Sequence, residues 1–205
     1  MAETSREKEK RSMDLVKELL EGVLLAVFLA ALVMPIVFWI RRRRKKTNPI
    51  LVRLYENEEI VVGSTTGEET IAKARHVFAG YLDSDFERWG ANVPSGTPTE
   101  RAKIAVYEVC RDANLAEMFG SIGNLNSHAL SQGQILRFVL EHNDKLQPDE
   151  LATFFLLRVG SGFLVVRISK LRGELVERLE RFDDPTIWRG AGRRRVVVLK
   201  AGLSK

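Results

Sequence analysis

The sequence predicts an α+β protein: one N-terminal transmembrane helix, then a small soluble domain of helices packed on an antiparallel β-meander. Three observations carry this. The nineteen residues from Gly22 to Ile40 hold no charged side chain, no Asn and no Gln, and six consecutive cations follow them. Capping boxes, T-x-x-E at Thr66 and S-x-x-Q at Ser131, precede apolar residues at three- and four-residue steps, the spacing of a helix face. Two β-rich runs, TFFLLRV and FLVVRIS, are joined by Gly160-Ser161-Gly162, the composition of a hairpin.

Residues 1–21 form a charged, helix-favouring leader with its own capping box at Thr4-Ser5-Arg6-Glu7. The run at 22–40 would rise about 29 Å as a helix, close to the hydrocarbon thickness of a bilayer. Trp39 and the cations Arg41, Arg42, Arg43, Arg44, Lys45 and Lys46 are placed for the membrane interface. Cations are denser after the run than before it, which predicts a signal-anchor topology at the inner or plasma membrane: N-terminus outside, C-terminal domain cytoplasmic. Gly22, Ala26 and Ala30 lie four apart, a spacing through which two membrane helices could pack as a homodimer.

After a basic juxtamembrane linker at 41–49, the soluble domain is expected over 50–200, with 201–205 as a tail. ILVRLY and EIVV, separated by Glu56-Asn57-Glu58-Glu59, suggest a small hairpin. Ile71, Ala74, Val77 and Phe78 follow the Thr66 box with helical spacing. Ala102, Ala105, Val106 and Val109 give a further helix opened by Pro98 or Thr99, with Cys110 at its edge. The Ser131 box starts a helix through about Asn143, with Ile135, Phe138 and Val139 inward. The TFFLLRV–FLVVRIS hairpin is apolar on both faces, so it belongs in the middle of a covered sheet. Residues 174–182 fit a helix by spacing, yet they follow a hairpin and the turn Arg172-Gly173. RRVVVL at 194–199 supplies a last strand.

The block from Ser131 to Leu199 has a helix, the hairpin of Thr153 to Val166, a distant Trp188 and then Arg195-Val196-Val197-Val198. In these features it resembles the C-terminal part of uncharacterised hypothetical proteins of uncultured bacteria. The resemblance covers about a third of the chain. It implies a third strand at 174–182 and no activity.

Charge narrows the function classes. The formal charge is +5, but residues 1–46 carry eleven cations and six acids, which already accounts for it. The remainder balances at 21 cations and 21 acids, so the domain offers no broad phosphate-binding surface and nucleic acid is a poor fit. One cysteine, Cys110, excludes an intramolecular disulfide framework. His76, His128 and His142 have no metal-ligand spacing, and neither a phosphate-loop lysine nor a G-x-S-x-G elbow is present. No catalytic residue, cofactor or metal is expected.

Three local features remain. Asp83, Asp85 and Glu87 would share one face of an extended stretch and could hold a divalent cation, although a solvated loop explains them as well. Cys110 could pair in space with a histidine. Trp188, with Arg189, Arg193, Arg194 and Arg195, could hold an anion by stacking and forked hydrogen bonds, or could be a charged edge. The sequence therefore predicts a membrane-anchored binding or scaffold module with the lipid bilayer and an unidentified protein as partners. The alternatives are a membrane-tethered enzyme, or contact with anionic lipid or nucleic acid through the terminal arginines.

Overall fold

Val196, Val197 and Val198 are all fully buried. Successive side chains on a strand point to opposite faces, so three buried β-branched residues in a row require a sheet covered on both sides. The computed structural model describes residues 49–148 and 151–200, and it shows that sheet. Its seven strands are β1 (Leu51–Leu54), β2 (Ile60–Val62), β3 (Ala102–Val109), β4 (Thr153–Val159), β5 (Gly162–Leu171), β6 (Glu174–Arg181) and β7 (Arg195–Leu199). The order across the sheet is β1-β3-β7-β4-β5-β6, and β2 also pairs with β3. The last strand in the chain thus lies in the middle of the sheet. It runs antiparallel to β3 (Tyr107 opposite Val196) and parallel to β4 (Phe154 opposite Val196).

Alternating residues fill two cores. On one face Val106, Phe155, Val166 and Val197 meet helix α4 (Gln132–Glu141) through Ile135, Phe138 and Val139, and the 71–91 segment through Ile71, Phe78 and Phe86. On the other, Ala105, Phe154, Val165 and Val196 meet helix α2 (Leu115–Gly120) through Leu115, Met118 and Phe119. The two short helices α1 (Asp85–Arg88) and α3 (Leu125–His128) complete the α-helices among the described residues.

Several expectations are corrected. Among the described residues no helix is long and apolar enough to cross a membrane. The longest, α4, has ten residues, about 15 Å, half of what a bilayer core requires. The run from Gly22 to Ile40 lies outside the described residues, as do Trp39, the cations at 41–46, the leader with its Thr4 box, the Gly22–Ala26–Ala30 stripe and the tail. An apolar run expresses a solvent preference, and a spanning helix is a further claim. The single-pass anchor, the signal-anchor topology and the inner-membrane location are therefore not retained. Nor do helices dominate the domain, for it is built on a mixed sheet.

The helix expected over 102–109 is the central strand β3. Ile104, Ala105, Val106 and Val109 are buried on both faces, and a strand without a solvent side loses the alternation that would distinguish it from a helix. After Thr66 the box forms in part: Glu69 Oε1 accepts from the Thr66 amide at 3.0 Å and Thr66 Oγ1 from the Glu68 amide at 3.2 Å. Only a single 3₁₀ turn, Ile71–Lys73, follows. Local capping did not outweigh the tertiary demand on Ile71, whose amide donates instead to Gln132 Oε1 at 2.9 Å. The two stretches at 51–62 do not pair with each other. They lie end to end on one edge of β3, Leu54 opposite Val106 and Ile60 opposite Ile104.

The C-terminal block follows its local signals more closely. Ser131 and Gln134 form a reciprocal capping box on α4. β4 and β5 turn through Gly160 and Ser161, and β5 and β6 through Arg172 and Gly173, both of positive φ, as a two-residue hairpin turn requires.

Candidate functional site

Trp188 is held by its backbone. Its amide donates to Ala113 O at 2.9 Å, and the Ala113 amide donates back to Trp188 O at 3.1 Å. The next residues make the tight turn Gly190–Gly192. A Cβ on Gly190 would lie 2.5 Å from the Arg111 amide nitrogen, so only glycine lets the turn close against the end of β3. The Gly190 amide donates to Asp112 Oδ1 at 2.9 Å. This fixes the indole on the sheet, edge-on to Phe154 with ring centroids 4.9 Å apart.

Two guanidinium groups share that ring. Arg167 Cζ lies 5.4 Å and Arg194 Cζ 5.3 Å from the Trp188 centroid. Arg167 is paired with Glu180 (Nε to Oε1, 3.2 Å). Arg194 donates from Nη1 to Arg189 O at 2.8 Å and meets no carboxylate among the described residues. Burial, then the neighbouring Arg167, pulls Arg194 below the usual arginine value. The Trp188 Nε1 proton is buried without a partner. Arg189 and Arg193 are exposed, and Arg193 takes a left-handed conformation (φ 46°). Arg195 departs from the expected group. Strand alternation sends it through to the other face, where Nη1 donates to Lys145 O at 2.5 Å and Leu146 O at 2.9 Å and the guanidinium stands 5.9 Å from the Tyr55 centroid. Sequence reading missed Arg167. The signal was there, as a lone cation inside the apolar run FLVVRIS.

The acidic group resolves differently from the expectation. Asp85 and Glu87 belong to α1, so the three carboxylates do not alternate along a strand. Asp83 accepts from the Asp85 amide at 3.0 Å and, through its other oxygen, from the Leu179 amide at 3.2 Å. Its own amide donates to Glu177 Oε2 at 3.2 Å. Together with Gly80 N to Leu175 O (3.2 Å) and Glu177 N to Tyr81 O (2.9 Å), these bonds strap residues 80–83 along β6 and close that sheet edge. Glu177 is fully buried and its Oε1 has no partner. Burial pushes its carboxyl up to about 8, against the downward pull of the Asp83 amide bond, and the Asp83 carboxylate adds a smaller upward push, so the protonated form is favoured at pH 7. Among the described residues no group of three or more His, Cys, Asp or Glu could hold a metal ion.

Cys110 follows the end of β3 and is exposed, its Sγ 3.6 Å from Glu108 O. Burial, then Glu108, raises its thiol above the ordinary value, the wrong direction for a nucleophile. His128 Nδ1 is 2.8 Å from Leu199 O, His142 Nε2 is 2.8 Å from Val61 O, and His76 is exposed. The two anchored histidines serve backbone carbonyls, and no thiol–imidazole pair forms among the described residues.

No family model, curated protein or solved structure matches this chain.

Proposed function

We propose that this domain is a binding module that receives an anionic group, a carboxylate or phosphate on a partner protein, at the Trp188 face. One observation carries the reading: Arg167 and Arg194 lie on the same indole, and among the described residues only Arg167 is paired with a carboxylate, that of Glu180. Arginine cannot shed its proton in the accessible pH range, so crowding two guanidiniums leaves a standing demand for negative charge. The planar fork of Arg194 suits a two-oxygen anion, and exposed Arg189 and Arg193 add long-range attraction. Charge balance over residues 47–205 favours a discrete acidic group over a long polyanion. Cys110 and Asp83 are engaged by backbone hydrogen bonds, and Asp85 and Glu87 lie on α1 away from any strand row, so an enzyme reading has less support.

The test is titration of the full chain with a hexaglutamate peptide and with a singly phosphorylated peptide, followed by calorimetry. Arg194→Met keeps the stacking methylenes and removes the charge. At least one peptide should bind, and the variant should weaken it about tenfold or more while leaving the unfolding midpoint unchanged or slightly raised. Equal binding by wild type and variant, or no binding of either peptide, ends the proposal.

A further inference from the structure

At the opposite end of the sheet from Trp188, the loop at 90–99, the start of α4 and the β4–β5 turn enclose a cleft of about 680 Å³. It lies where β4 and β7 end, at Arg158 to Gly160 and at Leu199. Its walls are fixed. Gln132 accepts from the Ile71 amide at 2.9 Å and donates from Nε2 to Val93 O at 2.9 Å, which ties the loop to α4. Leu130 is joined to β4 through its amide to Leu156 O at 2.8 Å. A preformed concave site of this volume is within the range that holds a small ligand.

The lining has a definite chemistry. Val93, Pro94 and Val159 offer apolar surface, with buried Leu130 behind them, and none of the residues that line the cleft is acidic. Arg158 is exposed there and meets no carboxylate among the described residues. Gln134 is only 5% exposed. Its Oε1 is used by the Ser131 amide at 2.9 Å, while its Nε2 has no partner among the described residues and is not among the sealed-off polar atoms. A buried amide donor left open on a cleft indicates what the cleft accepts. The first turn of α4 adds its unpaired amides. Glu69 approaches that turn from the side of Gly133, with its carboxylate already taking the Thr66 and Gly67 amides. On the cleft side, Gln134 and Arg158 are the groups that await an acceptor.

We infer that this cleft binds a small amphipathic anion, an organic carboxylate or a phosphate monoester, with the charged head at Gln134 and Arg158 and the apolar body on Val93, Pro94 and Val159. The site is independent of the Trp188 face.

The full chain is titrated with hexanoate, hexyl phosphate and hexanol, read by amide chemical shifts and thermal stabilisation. At least one anion should bind, shifting the amides of residues 130–134 and 158–160, with hexanol about tenfold weaker or more. The preferred anion identifies the head group. Gln134→Glu keeps the capping box, because glutamate serves at that position, but presents a carboxylate in place of the free donor. It should weaken the anion about tenfold or more. Arg158→Gln, a change at an exposed residue, should act in the same direction, and Arg194→Met should leave this binding unchanged. The inference is overturned if neither anion binds at about 10 mM, a concentration that reaches even weak millimolar sites. It is overturned equally if hexanol binds as tightly, or if both cleft variants bind like wild type.

Discussion

Two places in this domain take an ionisable group out of water near a like charge, and they meet the cost in opposite ways. Along β6, Glu177 is buried beside Asp83, and the loss of water, with the Asp83 carboxylate as a lesser cause, favours the form that keeps its proton. On the Trp188 face, Arg167 and Arg194 share one ring, and burial lowers Arg194 without neutralising it. A carboxyl group can discharge itself within the physiological range, whereas a guanidinium cannot. The acidic pair is tied into the backbone of the 80–83 strap and reads as structure. The basic pair stays charged, with one carboxylate on Arg167, and the proposed anion site rests on that charge. Residue identity decides which crowded site looks outward.

The acidic side of this comparison is broken most strongly by Glu177→Gln. The folded carboxyl sits at about 8, above its ordinary 4.5, so the folded chain retains a proton that the unfolded chain releases. Stability from this group is fully present below pH 4.5, declines as pH rises from there, and is lost once pH has passed through 8. Urea unfolding at pH 5 and pH 8.5 should show that decline in the wild type. The glutamine variant should flatten it, gaining on the order of 2–4 kcal/mol at the higher pH. An unchanged pH slope in the variant would place the effect elsewhere.

Trp188→Ala breaks the basic side. It removes the edge-on contact with Phe154 and the platform under both guanidiniums, and should cost about 2–3 kcal/mol in chemical denaturation. Acidic-peptide affinity should fall with it even well below the unfolding midpoint. A smaller change sharpens the contrast between the stacked arginine and its neighbours. Arg193 holds a left-handed backbone that glycine adopts without strain, so Arg193→Gly should be neutral or stabilising by about 0.5 kcal/mol. As an exposed cation it should alter peptide affinity by no more than about threefold, far less than the change at Arg194. Matched effects at 193 and 194 would mean that the ring stack has no special part.

How far the chain could be read in advance depended on whether its signals were local. The hairpin of β4 and β5, the α4 cap and the valine run of β7 are set by neighbours within a few residues, and they stand in the structure as their residues suggested. β3 misled because both its faces are buried, which erased its period. At the site, Trp188 and Arg194 were legible because they are close in sequence. Arg167 and Glu177 were not, because Arg167 and Trp188 are brought together only when β5 and the β6–β7 connection fold onto one face. Arg195 was adjacent in sequence and still misplaced, since one step along a strand reverses the side.

Local chemistry alone set where α4 starts, where the β4–β5 and β5–β6 hairpins turn, and that the charges of residues 47–205 cancel. The insertion of β7 between β3 and β4 depended on the assembled fold, and so did which arginine reaches the indole and which crosses to the other core. The physical reason is range. Capping, turn chemistry and β-branching act over a few residues, while strand order is fixed by burying two apolar faces at once, a condition met only by the assembled sheet.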